Sequence, residues 1–175
     1  MKLRSRSGGN AFNLRELTFL SMMGTLIFAL KMAFVAFPNI NLNAVMMILL
    51  ASFFGWKALL SVAVYIFLEG FTFGFGMWWF CYWYLWPCLI ALSVLYRNHR
   101  SALGWAVLTG AFGLSFGALC SIPYLFFGGW KVAVGFWVSG IPYDIAHCVG
   151  NFVSTLALYK PLYAVMDKLK SAAAD

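Results

Sequence analysis

The side chains best equipped for chemistry in this chain stand in one run, Gly140-Ile141-Pro142-Tyr143-Asp144-Ile145-Ala146-His147-Cys148-Val149-Gly150-Asn151. Asp144, His147 and Asn151 are spaced three and four apart, so a helix puts a carboxyl, an imidazole and a carboxamide on one face. Ser154 and Thr155 extend that stripe, and Pro142 suits the first turn of such a helix. The set fits hydrogen-bond recognition of a polar solute. In the plainer reading, Asp144 complements a helix N-terminus and His147 bonds Asn151.

Three further groups join the candidates. Glu69 precedes the run Gly70-Phe71-Thr72-Phe73-Gly74-Phe75-Gly76 and either touches a solute or pairs with Lys31 or Lys131. Asn39, Asn41 and Asn43 form a row of amides, suited to turns and caps or to an amide-rich solute. Between Trp78 and Trp86 stand four tryptophans and two tyrosines. On a helix Trp79, Trp83 and Trp86 share one face, and Trp78 and Tyr82 another. One face suits a headgroup belt; the other suits stacking on a flat, partly apolar solute. Phe73, Trp79, Tyr82, Trp83 and Tyr143 are therefore expected solute contacts, with the asparagines, Glu69, Asp144 and His147.

Much familiar chemistry is missing. No G-x-x-x-x-G-K-[ST] or H-E-x-x-H occurs. Cys81, Cys88, Cys120 and Cys148 lie in apolar stretches without zinc-ligand spacing, and read as small packing residues. No metal site and no resident cofactor are expected. The best catalytic reading is an intramembrane serine hydrolase with Ser139 as nucleophile and His147 as base. Ser139 lacks the usual glycine-flanked nucleophile context, however, and lies on the same segment as His147.

The elements that must carry these groups follow from composition. Of 175 residues, 63% are hydrophobic and 10% charged, against roughly 25% charged in a soluble domain. A globule of this size cannot hide so much apolar surface, and a disordered chain would be polar. The expected class is an all-α integral membrane protein, one domain over residues 1–175. Residues 1–16 form a basic cytoplasmic segment, 17–166 the helical bundle and 167–175 a tail. The first apolar stretch reads as a retained helix, not a cleaved signal.

Apolar runs cover roughly 17–37, 42–54, 58–71, 77–96, 102–127 and 136–160. The second and third are separated only by Gly55-Trp56-Lys57, so they form one long helix or two. Short cytoplasmic loops carry the Lys/Arg excess. Six spans with both termini inside put ten of the twelve cations inside, leaving Lys131 outside and Lys31 within span 1. Five spans bury Lys57 and turn the C-terminal cations outward. A six-helix bundle with cytoplasmic termini is therefore expected, with outer connections at 38–41, about 70–77 and about 128–140. The last is long and apolar and reads as a lid. Along span 1, Ser21, Thr25, Ala29 and Ala33 recur every fourth residue beside Gly24. Small residues at that spacing let helices approach closely in a bilayer, within the bundle or against a separate membrane subunit.

The segments FPNINLNAVMMILLASFFGWKAL (37–59), LEGFTFGFGMWW (68–79) and GIPYDIAHCVGNF (140–152) resemble the substrate-binding S components of energy-coupling factor vitamin transporters. Chain size, six spans and inward termini agree with the likeness. The resemblance implies a prokaryotic plasma-membrane protein that captures a vitamin at the outer face and is reoriented by a transmembrane coupling subunit and two cytoplasmic ATPases. It implies that Ala29-x-x-x-Ala33 docks the coupling subunit, with Ser21, Gly24 and Thr25 sharing the role. Within the family the chain is most similar to the cobalamin-specific type, which implies cobalamin or a related corrinoid as ligand. Another vitamin or precursor (pantothenate, riboflavin, a queuosine precursor) is the alternative.

Overall fold

Asn13 opens the first helix by a reciprocal cap. Its Oδ1 accepts from the Glu16 N–H at 2.7 Å, and the Glu16 carboxylate accepts from the Asn13 N–H. The computed structural model describes residues 13–36 and 42–172, with side chains to 169; the predicted basic segment and first outer connection lie largely outside this range. The elements are α1 (Leu14–Ala33), α2 (Asn43–Phe54), a 3-10 turn (Gly55–Ala58), α3 (Leu59–Phe73), α4 (Met77–Tyr96), α5 (Ala102–Leu114), α6 (Phe116–Cys120) and α7 (Ile122–Ala172). Among the described residues there is no strand.

Four stretches are long and apolar enough to cross a membrane: Leu14–Ala33, Asn43–Phe73, Met77–Tyr96 and Ile122–Leu169. Two of the four double back. Asn43 and Tyr65 would stand about 33 Å apart along one straight helix, yet Asn43 Nδ2 donates to Tyr65 Oη at 2.8 Å. The reversal falls at Gly55, whose φ of 58° suits a residue without Cβ. The short apolar runs around Lys57 are thus two helices. Likewise the Tyr124 and Phe136 rings stack with centroids 4.4 Å apart, where a continuous helix would separate them by about 18 Å. Gly129, at φ 72° and ψ −177°, makes that bend inside α7.

Pairings along the bundle give the helix directions. Lys57 bonds Glu16, Ser61 bonds the Leu20 carbonyl, and Lys31 bonds Glu69. The offset stays near 40 residues, so α1 and α3 run parallel, with α2 returning between them in sequence. Trp79 Nε1 donates to the Ile66 carbonyl at 2.9 Å, while Tyr65 meets Trp86, so α4 runs against α3. Tyr96 meets Trp105 and Tyr82 meets Phe116, so α5 and α6 run against α4. Gly117 faces Asp144 and Trp105 faces Tyr159, so the last segment runs against α5.

The core sits on α2. Residues 43–51 are buried without interruption, as expected of a helix that is apolar all round. The outside is apolar too: Phe71, Leu95, Phe126 and Phe127 are each at least 76% exposed. A surface of this kind suits lipid and not water.

Two expectations change. The outer connection predicted at about 128–140 is helical apart from the bend at Gly129, and residues 130–140 continue as helix. Their apolar residues and glycines resemble a loop only because Gly129 supplies the turn in a single residue. Pro142 consequently stands inside α7, not in its first turn. Its missing N–H leaves the Val138 carbonyl without its helical partner, which a helix among other helices tolerates. The predicted run 102–127 is also interrupted, near Ser115 and Ser121.

Candidate solute cavity

A cavity of about 370 Å³ lies between α4, α6 and the first half of α7 beyond Gly129. Trp78 and Tyr82 of α4, Phe116 of α6, and Phe136 and Tyr143 of α7 form its aromatic walls. Gly117, Cys120, Ser139, Gly140, Asp144 and His147 complete the lining. The volume falls within the range of roughly 300–1,000 Å³ typical of small-molecule sites.

Two of the lining residues are buried polar side chains, Asp144 and His147. Asp144 is 5% exposed and His147 4%. Asp144 Oδ1 accepts from the Gly117 N–H at 2.8 Å, while Asp144 Oδ2 and His147 Nε2 have no hydrogen-bond partner in the protein. The His147 ring packs edge-on against Phe116, with centroids 4.8 Å apart.

The α5–α6 segment holds this face of α7 close because it presents glycines to it. A Cβ at Gly113 would stand 2.8 Å from the His147 carbonyl, and one at Gly117 would meet the Asp144 carboxyl. Lower on the same seam, Thr109 Oγ1 bonds Thr155 Oγ1 at 2.9 Å, and Asn151 Nδ2 donates to the Thr109 carbonyl at 3.2 Å. The polar stripe therefore divides. Its upper part, Asp144 and His147, lines the cavity, while Asn151 and Thr155 close a helix–helix interface.

The other predicted contacts separate in the same way. Tyr82 and Tyr143 line the cavity. Trp79 instead bonds the α3 backbone and meets the rings of Phe67 and Phe75, and Trp83 packs edge-on against Phe67. Asn43 is buried against Tyr65. Glu69 pairs with Lys31, whose Nζ lies 5.2 Å from the Phe73 ring centroid and 5.7 Å from that of Tyr82. Asn39 and Asn41 lie outside the described residues.

Of the small residues on α1, Gly24 faces inward, where a Cβ would meet the side chain of Val64 at 2.8 Å. Ser21 is half-buried, and Thr25, Ala29 and Ala33 are exposed. Ser139 Oγ donates to the Phe136 carbonyl at 2.9 Å. Eight residues of helix separate Ser139 from His147 by about 12 Å of rise, so the pair is not in hydrogen-bonding reach. Among the described residues no three His, Cys, Asp or Glu side chains gather as a metal site.

The cavity residues absent from the expected solute contacts are Trp78, Phe116, Gly117, Cys120, Phe136, Ser139 and Gly140. Trp78 shares a helix face with Tyr82, four residues on, so that signal was available. The glycines repeat as Gly110, Gly113 and Gly117, a close-approach spacing opposite a polar stripe. No protein-family model, curated protein or solved structure matches the chain.

Proposed function

We propose that this chain is the solute-binding subunit of a vitamin importer of the energy-coupling factor type, crossing the bilayer six times with both termini in the cytosol. The observation that carries the reading is the aromatic cavity with two buried, unpartnered polar atoms at its wall. Space within an apolar bundle, edged by a carboxyl and an imidazole, suits a solute that is partly apolar and partly hydrogen-bonding. The alternating helix directions support six crossings, because α2 and α3 reverse at Gly55 and the chain reverses again at Gly129. At about 18 Å, α2 is shorter than a hydrocarbon core of about 30 Å, which its complete burial within protein permits.

Uphill transport needs energy, and the sequence holds no P-loop to supply it, so the reading includes a membrane coupling subunit and two ATPases. Thr25, Ala29 and Ala33 offer an exposed small-residue face on α1 for the former. The cavity volume bears on the solute. A corrinoid, far larger than a drug-sized molecule, would enter only by an edge, whereas a smaller vitamin or precursor would be largely enclosed. We favour the smaller class over cobalamin.

Equilibrium binding of the purified protein to a vitamin panel including cobalamin and cobinamide tests the reading. The expected result is tight binding of one member, weakened by Trp78→Ala; no binding across the panel overturns it. Orientation has its own test, in a background lacking Cys88. An impermeant maleimide applied to intact cells should label Phe75→Cys and spare Asn98→Cys, and the opposite pattern inverts the topology.

A further inference from the structure

We propose that the cavity selects a flat, nitrogen-bearing heterocycle with an amidine-like edge, its adjacent N–H groups donated to Asp144 Oδ2 and the neighbouring polar position taken by His147 Nε2. This assignment of solute class rests on the reading of the cavity as the solute site.

The donor set carries it. An ionised carboxylate only accepts hydrogen bonds, and one of the two oxygens of Asp144 is already occupied by the Gly117 N–H. That bond fixes the carboxyl and leaves Oδ2 as the acceptor without a protein partner. The same constraint makes Gly117 specific, since a side chain there would occupy the space of the carboxyl. Within the lining there is no lysine or arginine. A carboxylate or phosphate on the solute would find no counter-charge and would face Asp144. A solute N–H, and above all a cationic one, instead supplies a second charge-assisted hydrogen bond, to the one carboxylate oxygen without a protein partner.

Shape follows from the walls. Trp78, Tyr82, Phe116 and Phe136 offer ring faces and edges around a space of about 370 Å³. Such walls favour planar rings in offset-stacked or edge-to-face contact. A planar ring system with a donor edge meets both requirements. His147, on the same face of α7 one turn beyond Asp144, presents Nε2 as donor or acceptor according to its tautomer. It therefore accepts from an N–H or donates to a ring nitrogen beside the amidine edge.

The test uses three bicyclic probes on the purified full chain in lipid nanodiscs, read by calorimetry and by tryptophan fluorescence. The probes are 2-aminobenzimidazole (a donor edge), 2-methylbenzoxazole (acceptors only) and 2-naphthoate (an anion). The first should bind at least about tenfold tighter than either other probe, as one charge-assisted hydrogen bond predicts. Asp144→Asn keeps an oxygen for the Gly117 N–H and should abolish that preference. His147→Met, an independent readout should the first variant fold poorly, should narrow the preference without abolishing it. Absence of 2-aminobenzimidazole binding overturns the proposal, as does equal binding of all three probes or a preference unchanged in both variants. Binding of a vitamin from the panel alongside equal probe affinities would remove the solute class and leave the solute-binding role standing.

Discussion

Glu69 and Asp144 are both acids enclosed by an apolar bundle, and each keeps one oxygen without a protein partner. Their surroundings differ. Glu69 sits between α1 and α3 with a lysine against it, and that lysine lies over the Phe73 and Tyr82 rings. Asp144 has only a backbone N–H and lies in the wall of the cavity. A buried charge costs free energy unless it is paired and hydrogen-bonded. The N-terminal half meets that cost inside the fold, whereas on the proposed reading the C-terminal half leaves it to a bound solute. The first arrangement holds two helices in parallel register; the second leaves a carboxyl in the wall of a cavity. Tyr82 joins them, since one ring both lines the cavity and lies near Lys31.

The comparison is broken most forcefully at Lys31. Lys31→Met leaves the Glu69 carboxyl buried without its cation, and removing one partner of a buried pair costs about 3–5 kcal/mol. Since Lys31 is partly exposed, the lower end of that range is expected. Adding Glu69→Leu should recover much of the loss. Thermal unfolding in detergent of the two single variants and the double variant measures the coupling. A Lys31→Met protein as stable as the parent would show that Glu69 needs no partner and that the two acids do not differ.

The seam behind the cavity comes next. Gly113→Ala places a methyl group 2.8 Å from the His147 backbone, so α5 and α7 must separate, at a cost of about 1–3 kcal/mol as for other overpacked sites. Gly110→Ala meets its nearest neighbour, the Phe152 Cβ, at 3.3 Å, and should cost less. Equal melting temperatures for the two variants would show that glycine spacing does not set the helix approach. Asp144→Asn belongs at the milder end for stability. It retains the acceptor for Gly117 and should change unfolding by less than about 1 kcal/mol, well below Lys31→Met.

Much of this arrangement was legible beforehand. The limits of α4 follow from glycines before Met77 and cations after Tyr96, and the structure returns 77–96. The reversal at Gly55 was signalled by Lys57 between two apolar runs too short to stand alone. Asp144 and His147 were identifiable because helical spacing alone puts them on one face. What escaped depends on partners distant in sequence. Asn151 looks like a ligand contact until Thr109, 42 residues away, closes on it. Glu69 has two plausible lysines, and only the parallel run of α1 and α3 selects Lys31. Residues 130–140 read as a loop because hydropathy cannot distinguish an apolar loop from an exposed helix. The stack of Tyr124 on Phe136, which shows the bend at Gly129, joins two segments whose pairing no local pattern reveals.

The smallest effect is expected where the polar stripe turns from cavity to interface. Thr109 Oγ1 meets the Thr155 hydroxyl, the Asn151 carbonyl and its own helix backbone. Thr109→Val keeps the shape and removes the hydroxyl. Interhelical hydrogen bonds inside membrane bundles average only about 0.6 kcal/mol, because a freed hydroxyl such as that of Thr155 can bond its own helix backbone. Unfolding should therefore shift by that amount. Probe binding should be unchanged, since neither Thr109 nor Thr155 lines the cavity. A large loss of binding with little loss of stability would instead mean that the seam sets the position of Asp144 and His147. The boundary between interface and site would then fall below Asn151 and not above it.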